Sequence, residues 1–216
     1  MQNEFSNGVI PIRWGSFFLL WILMMAFHLI LYFGSQFLEG EPHVIGSEAD
    51  RRIPFLPGFI YVYSSWFVLL FGIPLLLNIV SPELSIKYML AHSIDQLLSN
   101  VTYLIYPTTF QRPEPPKKGL TGFCICKVYG ANHRFLNCAP SVHCSVSFLF
   151  ALAALAAPLP VWLQIVVCVW ALAIVASTLF VKQHMIIDAI TALPAALISW
   201  LLAGLFNCEA IAAKFI

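Results

Sequence analysis

Residues 177–188 read S-T-L-F-V-K-Q-H-M-I-I-D and lie where one long apolar segment ends and the next begins. His184 and Asp188 are four residues apart, so in a helix that opens near Asp188 they share a face, one turn apart. A carboxylate in that position accepts a hydrogen bond from one imidazole nitrogen. This fixes the tautomer and leaves the other nitrogen basic, as a nucleophile or general base requires. Lys182 adds a positive charge at the same segment end. Taken alone, the three residues fit the plain decoration of a helix end equally well.

Two further stretches change that balance. Ala139-Pro140-Ser141-Val142-His143 puts a serine and a second histidine at the start of another apolar segment, behind a proline suited to opening a helix. Gln111-Arg112-Pro113 follows a third apolar segment. An arginine, a Ser-x-His and a Lys-x-His-x-x-x-Asp thus each mark the end of a membrane-length run.

The 216 residues are 60% hydrophobic and only 10% charged, with mean hydropathy +0.86. Soluble domains carry about 25% charged residues, so the chain belongs to the membrane class. A net charge of +1 leaves no footprint for nucleic acid. The apolar run after Arg13 is followed by no small-residue cleavage pattern and reads as a retained anchor. Six apolar segments are near the length of about 20 residues that a helix needs to cross the hydrocarbon core: 16–38, 59–80, 88–106, 141–157, 161–181 and 185–206. The expectation is an all-α polytopic protein, with six transmembrane helices in one bundle and residues 1–216 as a single domain. The motif-bearing part is 107–190.

The connections are 39–58, which is acidic ahead of Arg51 and Arg52; the short 81–87; the long basic 107–140; the hairpin 158–160; and Lys182 with its neighbours. If direction alternates, segment three ends, four begins, five ends and six begins on one side. Arg112, Ser141, His143, Lys182, His184 and Asp188 then all reach the same membrane face. Ionisable groups in such places are costly unless they are used or snorkel outward.

The other polar residues carry weaker signals. His28 reads as a packed or interhelical hydrogen-bonding histidine, and His92 and Asp95, three apart, as a possible pair nearer the opposite face. His43 and His133 read as solvated loop residues, and the tryptophans as packing or interface groups. Cys144, Cys168 and Cys208 fall in apolar segments as small core residues. Cys124, Cys126, His133 and Cys138 match no standard zinc spacing. In an oxidising compartment a bridge from Cys138 to Cys124 or Cys126 is the expected alternative.

These residues resemble the type 2 phosphatidic acid phosphatase superfamily of integral-membrane lipid phosphatases and phosphotransferases. Its motifs are a lysine six residues ahead of Arg-Pro; Pro-Ser-x-His; and Ser-Arg, five residues, His, three residues, Asp. Arg112-Pro113 is similar to the end of the first, Pro140, Ser141 and His143 to the second, and Ser177, His184 and Asp188 to the third. The resemblance covers about half the chain and departs from the pattern twice, with Ile105 in place of the lysine and Thr178 in place of the arginine.

The resemblance implies that His184 attacks phosphorus to form a phosphohistidine, that Asp188 orients it, and that His143 protonates the leaving alkoxide and later activates water. Arg112 and Lys182 would hold phosphate oxygens, with the Ser141 hydroxyl beside them; Lys182 would make up for one missing cation as a point charge. Only one carboxylate, Asp188, lies in the motifs, which supplies a two-metal site poorly, so neither a metal nor another cofactor is expected. The partners implied are the bilayer and a lipid phosphate, as a monoester or pyrophosphate that the protein hydrolyses. The alternatives are a phosphotransferase similar to sphingomyelin or inositol phosphorylceramide synthases, and a proton-coupled transporter. Eight arginines and lysines (Arg51, Arg52, Arg112, Lys117, Lys118, Lys127, Arg134, Lys182) fall on the motif side, against Arg13, Lys87 and Lys214 on the other. That count alone would put the motifs in the cytoplasm. The resemblance implies an extracytoplasmic site, and that orientation is the expectation carried forward.

Overall fold

The computed structural model of the chain describes residues 14–38, 40–131, 136 and 138–215; Arg13, Glu39, His133 and Arg134 lie outside the described residues. The elements, in order, are α1 (Trp14–Leu38), β1 (His43–Val44), α2 (Glu48–Arg52), a 3-10 turn (Pro57–Phe59), α3 (Ile60–Ser64), α4 (Trp66–Val80), α5 (Pro82–Ile105), β2 (Thr108–Thr109), α6 (Gly119–Ala131), α7 (Val142–Ala156), α8 (Val161–Phe180), α9 (Ile186–Ala203) and α10 (Cys208–Phe215). Helix dominates. The two short strands pair in parallel, His43 with Thr108 and Val44 with Thr109, and tie the first loop to the third.

Among the described residues four stretches are long and apolar enough to cross a membrane: Trp14–Phe37, Pro57–Val80, Val161–Phe180 and Ile186–Ala203. They are compatible with an integral membrane protein. Their outer faces carry large apolar side chains such as Ile30, Phe71, Val169 and Leu201, all more than half exposed, a surface that hydrocarbon solvates and water does not.

The other two expected segments differ in kind. α5 is long but polar, and it buries Ser85, His92, Asp95, Gln96, Ser99 and Asn100. It packs against α1, α4, α7, α9 and α10, so protein surrounds it and its composition need not suit lipid. α7 has 15 residues, about 22 Å of helix, and lies among α4, α5, α8 and α9 with Leu149, Phe150 and Ala153 fully buried.

Residues 81–87, read from sequence as a connection, are helical from Pro82 onward. Ser81 caps α5 by accepting the Leu84 N–H, with Pro82 in the first turn and Glu83 at the positive end of the dipole. These are helix-start signals that a search for apolar runs passes over. Three further helices, α2, α6 and α10, lie outside the six apolar segments. α6 lies within the third loop, and its Gly122 sits so close to the Pro116 carbonyl that a Cβ would collide with it. Ile125 and Tyr129 of α6 join Ile60, Tyr63 and Val181 in a small second core over the site. α10 returns against α5.

Candidate active site

The site is built on the end of α8. The Gln183 N–H bonds the Thr178 carbonyl and the Lys182 N–H bonds that of Leu179. This is a Schellman close, with Lys182 in the left-handed position at φ 51°. Glycine is usual there, because a side chain at positive φ is strained. The turn swings the chain directly into α9, where the Asp188 carboxylate accepts the Met185 N–H at 2.9 Å and meets His184 Nδ1 at 3.2 Å through the same oxygen. Asp188 is fully buried, while the His184 side chain retains 12% exposure. The carboxylate thus fixes the imidazole from behind, as the four-residue spacing predicts, and Nε2 is left to face outward.

The Pro-Ser-x-His stretch meets this turn. The Ser141 N–H donates to the Asp188 carbonyl at 3.1 Å, and Tyr103 donates its hydroxyl proton to the Pro140 carbonyl. Ser141 is wholly buried, and its oxygen caps α7 by accepting the Cys144 N–H. In this arrangement its hydroxyl closes a helix end. His143, in the first turn of α7, is clamped between two rings: Tyr63 at 4.1 Å and 4°, and Trp66 at 4.3 Å and 24°. Its Nε2 is buried and has no hydrogen-bond partner among the described residues.

His143 and His184 line one cavity of about 220 Å³, enclosed by α1, α3, α4, α6 and the Tyr103 ring. Most of its wall is apolar: Met25, Leu29, Phe33, Phe67, Leu70 and Val128 among others. His28 also opens onto it. Its Nδ1 lies 3.1 Å from Nε2 of His92, and His92 Nδ1 lies 3.4 Å from the Tyr88 hydroxyl. His28 is therefore the interhelical hydrogen-bonding residue that its sequence position suggests. His92 does not pair with Asp95, which instead accepts from Ser145 of α7.

The cationic candidates stand on the far side of the same turn. Arg112 and Lys182 line a second, more polar cavity of about 710 Å³ with Asp50, Arg51, Gln111 and Met185. Arg112 lies over the rings of Tyr129, 5.0 Å away, and Phe110, 5.5 Å away. Burial lowers its guanidinium from the ordinary value, against the opposing pull of Cys138 and nearby tyrosines.

Lys182 occupies a different setting from the one its sequence position suggests. Its Nζ donates to the backbone carbonyls of Asp50 at 2.9 Å and Ile53 at 2.6 Å. Burial lowers the ammonium from its usual value, and Asp50 pulls the other way. Asp50 reads from sequence only as one of the acidic residues of the first connection, yet Ser47-x-x-Asp50 is a capping box. Its Oδ1 accepts the Ile186 N–H at 2.7 Å, and its Oδ2 accepts from the Ser47 N–H and hydroxyl. Burial would push this carboxyl up, but the bonds from Ser47 and Ile186 and the Lys182 charge hold it below its ordinary value. Asp50 and Lys182 therefore lace the first loop to the turn that carries His184.

A prediction follows for this lacing. Lys182→Ala loses two charge-assisted hydrogen bonds at a partly exposed site and is expected to destabilise the protein by roughly 1–3 kcal/mol. Lys182→Gly loses the same bonds but relaxes the positive φ, so it should be about 1 kcal/mol more stable than the alanine variant. Thermal unfolding in detergent reads both. If all three proteins melt together, the ammonium does not hold the loop.

None of the six cysteines is in a disulfide, so the expected bridge from Cys138 is not present. Cys124 packs against the small core beneath α6, Cys126 is exposed and Cys138 is buried. Among the described residues no group of three or more His, Cys, Asp or Glu is arranged to hold a metal ion. No family model matches the chain, and no curated protein or solved structure matches it.

Proposed function

We propose that the chain is a lipid phosphatase of the type 2 phosphatidic acid phosphatase superfamily, working through a phosphohistidine without a metal. The observation that carries this reading is the shared cavity: His184, held through Nδ1 by a buried aspartate, and His143, whose buried Nε2 has no partner among the described residues, open onto one mostly apolar chamber. His184 Nε2 would attack phosphorus as the bond to the lipid oxygen breaks, and His143 would hand its proton to that oxygen. Water would then attack the phosphohistidine, giving its proton back to His143 and releasing inorganic phosphate. The apolar wall would seat the lipid tail, and Arg112 would approach the phosphate oxygens from the polar side. In the full reading α5 and α7 also cross the bilayer, which makes six crossings.

A lipid phosphotransferase is the second reading, favoured by the polar cavity beside Arg112, which offers room for a headgroup or an acceptor alcohol. One assay separates the two. Purified protein in detergent, with EDTA present, is given a diacylglycerol phosphate and, in a parallel reaction, a phosphodiester phospholipid, each with and without a lipid alcohol. The phosphatase releases inorganic phosphate from the monoester with or without the alcohol and is inhibited by vanadate. The transferase instead makes a new phospholipid only when a phosphodiester donor and an acceptor are both present. Dependence on an added divalent cation would refute the metal-free mechanism.

The extracytoplasmic orientation makes its own prediction through Cys126, exposed on α6. A membrane-impermeant maleimide should label Cys126 in intact cells, and Cys126→Ser should abolish the signal. Labelling only after permeabilisation would put the motif side in the cytoplasm, as the charge count alone suggests.

A further inference from the structure

We propose that His28 is a lipid-binding residue whose Nε2–H donates a hydrogen bond to a carbonyl oxygen of the substrate's backbone, so that the cavity selects acyl lipids over plain alkyl or isoprenoid phosphates. The proposal rests on the phosphatase reading only for the identity of the cavity's occupant as a phosphorylated lipid.

Three buried groups form a chain: the Tyr88 hydroxyl, 3.4 Å from His92 Nδ1, and His92 Nε2, 3.1 Å from His28 Nδ1. Tyr88 and His92 are fully buried, and His28 is 8% exposed. The direction of the protons follows from the phenol. Among the described residues the Tyr88 proton meets no acceptor other than His92. A buried hydroxyl proton without an acceptor costs on the order of 1–3 kcal/mol. Tyr88 therefore donates to Nδ1 of His92, which places the His92 proton on Nε2, where it is donated to Nδ1 of His28. The neutral His28 ring must then carry its own proton on Nε2. Each tautomer is fixed by the one behind it, and the last N–H belongs to a residue in the cavity wall.

The donor stands in a mostly apolar wall, with the Tyr32 ring stacked beside it. Met25 and Leu29 flank it on α1, and Leu70 and Phe67 line the same chamber. A polar group in such a wall is expensive unless it has a partner. The partner must be an acceptor, because the chain delivers a donor. It must also lie near the phosphate, since His28 lines the same chamber as His143 and His184. Ester and amide carbonyls next to the phosphate-bearing end of a lipid meet both conditions. A saturated alkyl or an isoprenoid chain offers no such oxygen.

The test measures binding rather than turnover. Purified protein in detergent is titrated with two non-hydrolysable phosphonates of matched chain length, one carrying diacylglycerol and one a plain alkyl chain. Wild type is expected to bind the diacyl ligand roughly 5–10-fold more tightly, the worth of one well-placed hydrogen bond in a dry site. In His28→Leu that ratio should fall toward one. In Tyr88→Phe, which frees the His92 tautomer, it should fall part of the way. His28→Gln, which keeps an N–H donor, should retain some preference. A wild type that binds both ligands equally overturns the proposal without any variant, and so does a His28→Leu protein that keeps the full ratio. If the preference is present and depends on His28 but no substrate turns over, the phosphatase reading fails while the lipid-binding residue stands.

Discussion

Purified His184→Ala protein is expected to release no phosphate above background from a diacylglycerol phosphate, a loss of about 10⁴-fold or more in kcat. Among the described residues no second nucleophile backs it up. His143 is held between Tyr63 and Trp66, and Asp188 is wholly buried behind His184. On the proposed mechanism, removing the imidazole removes the covalent step, with no group among the described residues left to share the loss. The same protein should also fail to retain label from a phosphorus-labelled substrate after an alkaline quench, whereas wild type should retain an acid-labile, alkali-stable phosphoamidate. Turnover within tenfold of wild type would show that phosphorus is attacked by something other than His184. Asp188→Asn should fall between the two, because it leaves the geometry but weakens the hydrogen bond at Nδ1.

His143→Ala should show a loss that depends on the leaving group. With an alkyl ester the departing oxygen needs a proton, and the variant should lose about 10²–10⁴-fold. With an aryl phosphate, whose phenolate leaves unaided, the loss should be under about tenfold. The stacking arrangement sharpens the prediction. Tyr63→Leu and Trp66→Leu leave the imidazole in place but free it to rotate, so both should show the same leaving-group pattern at smaller amplitude. Equal losses on alkyl and aryl substrates would mean that His143 binds phosphate instead of moving a proton.

Much of this arrangement can be read along the chain because it is local. The four-residue spacing of His184 and Asp188 is enough to bring them into contact, and Ser-x-His at a helix start specifies both a cap and a histidine in the first turn. The parts that could not be read depend on distant partners. Lys182 looks like a phosphate ligand until its protons are followed to carbonyls 132 and 129 residues away. His92 and Asp95 look like a pair, but each turns to another helix, α1 for one and α7 for the other. Arg112 sits with the polar cavity because β2 and the Tyr129 ring carry it there, which no spacing encodes. Asp50 was legible in principle, since Ser47-x-x-Asp50 is a recognisable cap, but its bond to Ile186 was not.

The buried polar face of α5 bears on how the protein is made. A helix with His92, Asp95, Gln96 and Asn100 on its buried face gains little by leaving the translocon for lipid, where an aspartate near mid-span costs about 2.5–3.5 kcal/mol. The helices that cover that face, α7 and α9, emerge from the ribosome later. On the six-crossing reading, α5 has to wait at the translocon or at the protein's own edge until they arrive. A ribosome stalled just after α5 should therefore hold a nascent chain whose third crossing is still accessible to water, and the same segment should become protected once α9 has been synthesised.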